Sequence, residues 1–313
     1  MFRFLSKAMS RSVRAPRPAV LKARFSSNFP HWPTALQTPH GDGRWKDVQF
    51  HVDQPVDECD VWFVYEGLSR TETTLCPPDN VVFITAEPPI IKDYNARWLR
   101  QFARVISCQR NLRHPAVLFS QTAVPWHVGK SYDALSQQPF PPKSKSWSAI
   151  ASNKSFVPGH RLRLAFIEEL RRRGGGDIFG RGTRELAVKW DGLADYRYSV
   201  AIENCQYPDY WTEKIADCFL AGTVPFYFGC PNILDFFPAE ALVWLDVEQP
   251  EKAIRRMDEV LGSNDYEQRL PALEKAKSLV LNEYNMFNFM AEFCKQLDFG
   301  GRRRRIQLKP EPS

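Results

Sequence analysis

Tyr198-Ser-Val-Ala-Ile-Glu-Asn-Cys-Gln-Tyr-Pro-Asp-Tyr-Trp-Thr-Glu-Lys214 passes from a β pattern through a polar loop into a helical pattern. Residues 198–202 read as a strand, and 211–221 read as a helix that ends at Gly222. The loop between them therefore lies at a carboxyl strand end, beside a helix N-terminus. Such a terminus carries unpaired N–H groups and the positive end of the helix dipole, both suited to phosphate. Asp209 or Thr212 can cap it. Lys214 stands in the first turn, where the dipole disfavours a cation. It either meets an anion there or pairs with Glu203 or Asp209.

The same alternation extends outward from this segment. Residues 224–228 and 241–245 read as strands, and 250–261 as a helix stopped by Gly262. Upstream, 147–151 is a strand. Residues 161–173 form a helix with Leu162, Phe166 and Leu170 on one face and Gly174-Gly-Gly176 after it; 177–180 is a short strand. Nearer the N-terminus, Asp60-Val-Trp-Phe-Val-Tyr65 and Val81-Val-Phe-Ile-Thr85 are buried-strand patterns bounded by Pro-rich turns. A short helix at 95–104 and a strand at 105–108 follow. Strands alternating with helices predict parallel sheets of α/β type, whose ligands bind at carboxyl strand ends.

The organisation expected from these patterns is a basic, flexible tail over 1–45 and an α/β domain over 46–134. A Pro/Ser/Lys-rich linker over 135–146 leads to a second α/β domain over 147–264. A helix over 265–300 packs on the body, and a basic tail covers 301–313. The charge is uneven. Of the net +6, residues 1–41 contribute seven Lys/Arg and no acid, and 302–313 carry +4, so the body between them is mildly acidic. That distribution argues against a nucleic-acid binder, which would carry its basic face on the folded body. Basic tails suit an anionic membrane surface, at about 1 kcal/mol per Lys/Arg. The 1–27 stretch also has the basic, acid-free composition of an organelle transit peptide. No uncharged apolar run reaches the ~18 residues of a transmembrane helix. Seven scattered cysteines without a C-x-x-C pair predict buried free thiols, and the six histidines show no metal-ligand spacing.

With those residues in view, four blocks resemble the signature of the α1,3-fucosyltransferases of glycosyltransferase family 10. They are Tyr198-Ser-Val-Ala-Ile-Glu-Asn204, Asp209-Tyr-Trp-Thr-Glu-Lys214, Ala221-Gly-Thr-Val-Pro225 and Gly229-Cys-Pro-Asn232. The resemblance is good over 147–250 and looser over 60–130. It implies a GT-B architecture, two Rossmann-like domains facing each other across a cleft. It also implies an inverting transfer of fucose from GDP-fucose to a hydroxyl of an acceptor glycan, lipid-linked in many bacterial members. The resemblance further implies that no cofactor or metal is required.

By the same resemblance, Glu213 holds the donor ribose, Lys214 and Arg163 meet the diphosphate, and Tyr210, Glu203 and Asn204 complete the donor site. Arg163 lies in Arg163-Leu-Ala-Phe-Ile-Glu-Glu-Leu170, with Arg161 close by. Glu87, in Ile84-Thr-Ala-Glu-Pro-Pro89, resembles the catalytic glutamate. The chemistry agrees with the pattern. A leaving diphosphate gains negative charge that Lys, Arg and helix N–H groups can meet, and an attacking hydroxyl needs a base.

Two departures bear on the donor sugar. Cys205 replaces the usual serine, and Trp211 replaces a small apolar residue, so it either fills core or narrows the sugar pocket. The alternatives are another GDP-activated deoxysugar, or a relative that binds nucleotide or glycan without catalysis. A metal-dependent transferase would need Asp246-Val-Glu248 as its cation motif. Lacking an evident anchor, the chain resembles the bacterial members, which are cytoplasmic and peripheral to the inner membrane face. Arg302–Arg305 would provide the lipid contact.

Overall fold

The structure, a computed structural model, describes residues 18–312. The basic stretch before Pro18 lies outside the described residues. Its continuation is not a tail. β1 (Leu21–Ser27) is an inner strand of a seven-stranded sheet, and Leu21, Ala23 and Phe25 are fully buried. The charges that made this segment look exposed are paired over long range. Arg24 is buried, donates to Glu72 Oε2 at 2.5 Å and lies 4.4 Å over the Trp62 ring. A partner 48 residues away leaves no local signal in the sequence.

The first sheet continues with β2 (Arg44–Trp45), β3 (Val48–Val52), β4 (Val61–Tyr65) and, outside it, β5 (Glu72–Cys76). It then takes in β6 (Val81–Ile84), β7 (Arg104–Ser107) and β8 (Val117–Phe119). The order is β2-β3-β1-β4-β6-β7-β8, and only the β2–β3 pair is antiparallel. β4 and β6 are buried along their whole length, as their unbroken apolar runs predict. The helix expected over 95–104 is one turn, α1 (Ala96–Leu99), capped by Asn95. α2 (Tyr132–Gln137) occupies the start of the expected linker. The rest of that linker is anchored: half-buried Lys143 donates to Ala194 O at 2.8 Å, Ala221 O at 2.6 Å and Thr223 Oγ1 at 3.1 Å.

The second sheet contains β9 (Lys145–Ile150), β10 (Asp177–Phe179), β11 (Tyr196–Ile202), β12 (Val224–Phe228) and β13 (Val243–Trp244). Its order is β10-β9-β11-β12-β13, parallel throughout. The helices are α3 (Pro158–Arg173), α4 (Glu213–Leu220), α5 (Pro250–Ser263) and α6 (Tyr266–Ser278).

The single helix expected over 265–300 is interrupted. After α6 the chain makes a wide turn over Leu279–Glu283, and Asn285 caps a new helix, α7 (Met286–Cys294). α7 returns to the first sheet, where the Phe287 ring lies 5.1 Å from Phe50 and 6.3 Å from Phe25. The basic segment after it is likewise no tail. β14 (Arg304–Leu308) pairs antiparallel with β5, with Leu308 buried. Arg303, just before it, reaches Glu58 at 3.1 Å and Asp60 at 2.6 Å. Among the described residues no helix is long and apolar enough to cross a membrane.

Candidate active site

The carboxyl ends of both sheets face one cavity of about 480 Å³. Its second-domain wall is built on the start of α4. Thr212 is the N-cap, and its hydroxyl accepts from the Lys214 N–H at 3.3 Å. Glu203, fully buried at the end of β11, accepts from the Thr212 N–H and hydroxyl, both at 2.8 Å, and from Lys214 Nζ at 3.2 Å. Its carboxylate is therefore occupied by protein donors beneath the wall and does not line the cavity. This corrects the expectation that it touches the donor. Gly229 packs so tightly here that a Cβ would lie 2.4 Å from Glu203 Cγ. That contact explains the glycine of the fourth sequence block.

Glu213 and Lys214 both line the cavity, 3.6 Å apart. Burial would raise the Glu213 carboxyl, but Lys214 and Lys189 outweigh it and hold it well below the usual carboxylate range. Burial would lower Lys214, but Glu203 and Glu213 outweigh it and raise it. Of the two roles the sequence left open for Lys214, it pairs with Glu203 and also faces the cavity. Lys189 pairs with the buried Asp217 of α4 at 2.6 Å and adds a third charged group to this wall.

Arg163, not Arg161, points inward. It is 4% exposed, donating from Nη1 to Asn204 Oδ1 at 2.9 Å and from Nη2 to Ser152 Oγ at 3.1 Å. Arg161 is exposed and reaches only the Ser155 carbonyl. The buried Tyr210 hydroxyl accepts from Asn204 Nδ2 and donates to Glu87 Oε2, each at 3.5 Å. Glu87 lies just beyond β6, on the opposite wall. Burial, assisted by the nearby Glu66 carboxylate and opposed by Lys214, pushes it up to about 7. Glu66 itself is buried and accepts from the Ala86 N–H at 2.7 Å and the Tyr94 hydroxyl at 2.6 Å.

The cavity also has a wall that the sequence did not announce. Phe29 and Trp32, from the segment taken for a tail, stack at 4.2 Å and 6°. The His127 ring packs edge-on to Trp32 at 4.5 Å, and the His127 backbone N–H donates to Asp217 Oδ1 at 2.9 Å. Two aromatic residues flanking Pro30 and Pro33 were the available signal, but nothing local joins them to Glu87. Trp211 turns away from the site into a cluster with Phe236, Phe237 and Tyr284, so it fills core. Asp246 accepts from Gln249 Nε2 at 2.7 Å and does not line the cavity. Among the described residues no group of three or more His, Cys, Asp or Glu side chains is arranged to hold a metal ion.

Chemically, one wall offers a carboxylate that burial and a like charge raise above the usual carboxylate range. The other offers a guanidinium and an ammonium beside a helix N-terminus. That pairing suits removal of a proton on one side and acceptance of anionic charge on the other.

Residues 140–298 match the family described as glycosyltransferase family 10 (fucosyltransferase) C-term. Alpha-(1,3)-fucosyltransferase 7 of Homo sapiens is 34% identical over 265 residues, which is 75% of this chain and 70% of that protein. Alpha-(1,3)-fucosyltransferase FucT of Helicobacter pylori is 26% identical over 182 residues, 52% of this chain and 37% of that protein. The chain spans between 16% and 70% of the length of the curated relatives it matches. A crystal structure of an alpha1,3-fucosyltransferase superposes with a TM-score of 0.50 at 17% identity, covering 84% of each chain. The fold is thus the GT-B arrangement of two Rossmann-like domains.

Proposed function

Since the chain belongs to glycosyltransferase family 10, the fucosyltransferases, we propose that it moves fucose from GDP-fucose to a hydroxyl of an acceptor glycan with inversion. The observation that carries this reading is the opposition, across one cavity, of Glu87 and the Arg163–Lys214 pair. In the reaction, the acceptor hydroxyl oxygen attacks the anomeric carbon while Glu87 takes its proton. The bond to the β-phosphate oxygen breaks on the far side, and its electron pair leaves with GDP. Lys214 meets that charge as a point cation and Arg163 with its planar fork. Glu213 holds the ribose hydroxyls, Tyr210 and Asn204 fix the loop beside the donor, and Glu203 holds Lys214 in place. We assign the charge work to these side chains and not to a divalent ion, so turnover should be unchanged in EDTA; loss of turnover there would overturn that assignment.

Calorimetry with GDP, GDP-fucose, GDP-mannose and UDP tests the donor. Tight binding of GDP ligands with preference for GDP-fucose is expected. A preference for GDP-mannose would move the function to another GDP-sugar, and absence of GDP binding would sink the reading. The roles separate by mutation. Glu213→Ala and Lys214→Ala should each lose donor binding. Glu87→Ala should bind GDP normally and lose transfer by about 10²–10⁴-fold, the usual share of a general base. Equal loss of GDP affinity in all three would refute the division.

We further propose that the chain works at the cytoplasmic face of an anionic membrane. Support comes from Arg302, Arg304 and Arg305, which are exposed on and beside β14. Changing all three to Gln should abolish sedimentation with phosphatidylserine vesicles without altering GDP binding. Unchanged sedimentation would refute this location.

A further inference from the structure

Gln109 and Arg110 follow β7 and connect the two walls of the site. Gln109, 2% exposed, donates from Nε2 to the carbonyls of Glu87 at 3.0 Å and Lys92 at 2.8 Å, so it holds the loop that bears Glu87. Arg110 reaches the other domain. Its N–H donates to the Tyr207 hydroxyl at 3.0 Å, and its guanidinium pairs with Asp209. The Phe119 ring, 5.1 Å away, supports the guanidinium from its own domain.

Asp209 is itself fixed. Its N–H donates to Asn232 Oδ1 at 2.9 Å, and its Oδ1 accepts from Asn232 Nδ2 at 3.0 Å. Its backbone is left-handed, with φ of 61°. The next residue is Tyr210, whose hydroxyl returns to Glu87. Glu87, Gln109, Arg110, Asp209 and Tyr210 thus form a closed ring of contacts through both domains. Of these five only Glu87 and Tyr210 line the cavity; Gln109, Arg110 and Asp209 stand behind them.

We propose that Arg110 is a positioning residue for the base: by clasping Asp209 it sets the distance between the donor loop and Glu87. The inference rests on the reading of Glu87 as the base. A half-exposed ion pair adds little stability by itself. A misplacement of about 1 Å at a reacting group can cost about 10²-fold in rate.

The test measures hydrolysis of GDP-fucose by water, which needs Glu87 but no identified acceptor, together with GDP affinity by calorimetry. Arg110→Ala should lower kcat about 10- to 100-fold with GDP affinity within twofold. Arg110→Lys keeps the charge and should recover most of that loss. Asp209→Asn retains an oxygen for Asn232 and should reproduce the defect, and the double variant should be no worse than either single one. An unchanged kcat in Arg110→Ala, a loss confined to GDP affinity, or Arg110→Lys no better than Arg110→Ala would each overturn the proposal. Glu87→Gln is measured in parallel. If it keeps full hydrolysis, the base assignment fails; if it abolishes hydrolysis while Arg110→Ala does not matter, only the clasp fails.

Discussion

Glu87 and Glu66 occupy one buried corner, yet the protein gives them different tasks. Glu66 takes hydrogen bonds from Ala86, Tyr94 and the Lys92 ammonium, and its charge adds to burial in lifting Glu87. A base must be deprotonated, so kcat/KM should fall as pH drops through about 7. Glu66→Gln removes one of the two leading contributions and leaves burial. The acid limb should move to lower pH, and a pH–rate profile with an unmoved limb would refute the coupling. Gly229→Ala tests the opposite wall. Its new Cβ would meet Glu203, displace Lys214 and weaken GDP binding at least tenfold in a titration. The donor wall was legible because Asn204, Tyr210, Glu213 and Lys214 lie in one loop and the turn after it. Phe29, Trp32, His127 and Lys189 were not, since they meet only through tertiary contacts. Glu203 was misplaced because sequence spacing does not tell which way a carboxylate at a strand end turns.

Elements with local signals came out close to where the residues put them, although α3 starts three residues before the expected 161. α3 and α5 begin at Pro158 and Pro250, in the first-turn position where proline is tolerated, and β12 is the apolar run before Gly229. α4 starts two residues later than the pattern suggests, because Thr212 serves as its cap. Thr212→Val should cost about 1–2 kcal/mol, read as a lower urea midpoint, and more than a cap alone if Glu203 is left without its donor. β1 and β14 failed to register because Arg24 and Arg303 find their acidic partners far along the chain, and a sequence window sees only unpaired cations. Arg24→Ala should accordingly destabilise the first domain by about 3 kcal/mol, leaving the partly buried Glu72 with the Ser26 hydroxyl but without its cation; a surface arginine would cost nearly nothing. Differential unfolding monitored at Trp62 separates these outcomes.

At the scale of the molecule, the first domain is completed by the other end of the chain. α7 belongs to the first core although it follows the whole second domain, and Phe287, Phe289 and Phe293 are buried there. Phe287→Ala should cost about 3–5 kcal/mol, with the loss appearing in the first domain's unfolding transition. A loss confined to the second domain would contradict the packing. The return of α7 also shapes synthesis. The first sheet is complete in sequence by Phe119, but the helix that covers it starts at Met286. At about 5–20 residues per second, that apolar sheet face waits roughly 8–33 s on the ribosome before its cover is made. During that interval it is a surface for chaperones to shield, and neither domain can be produced by simply cutting the gene at the linker.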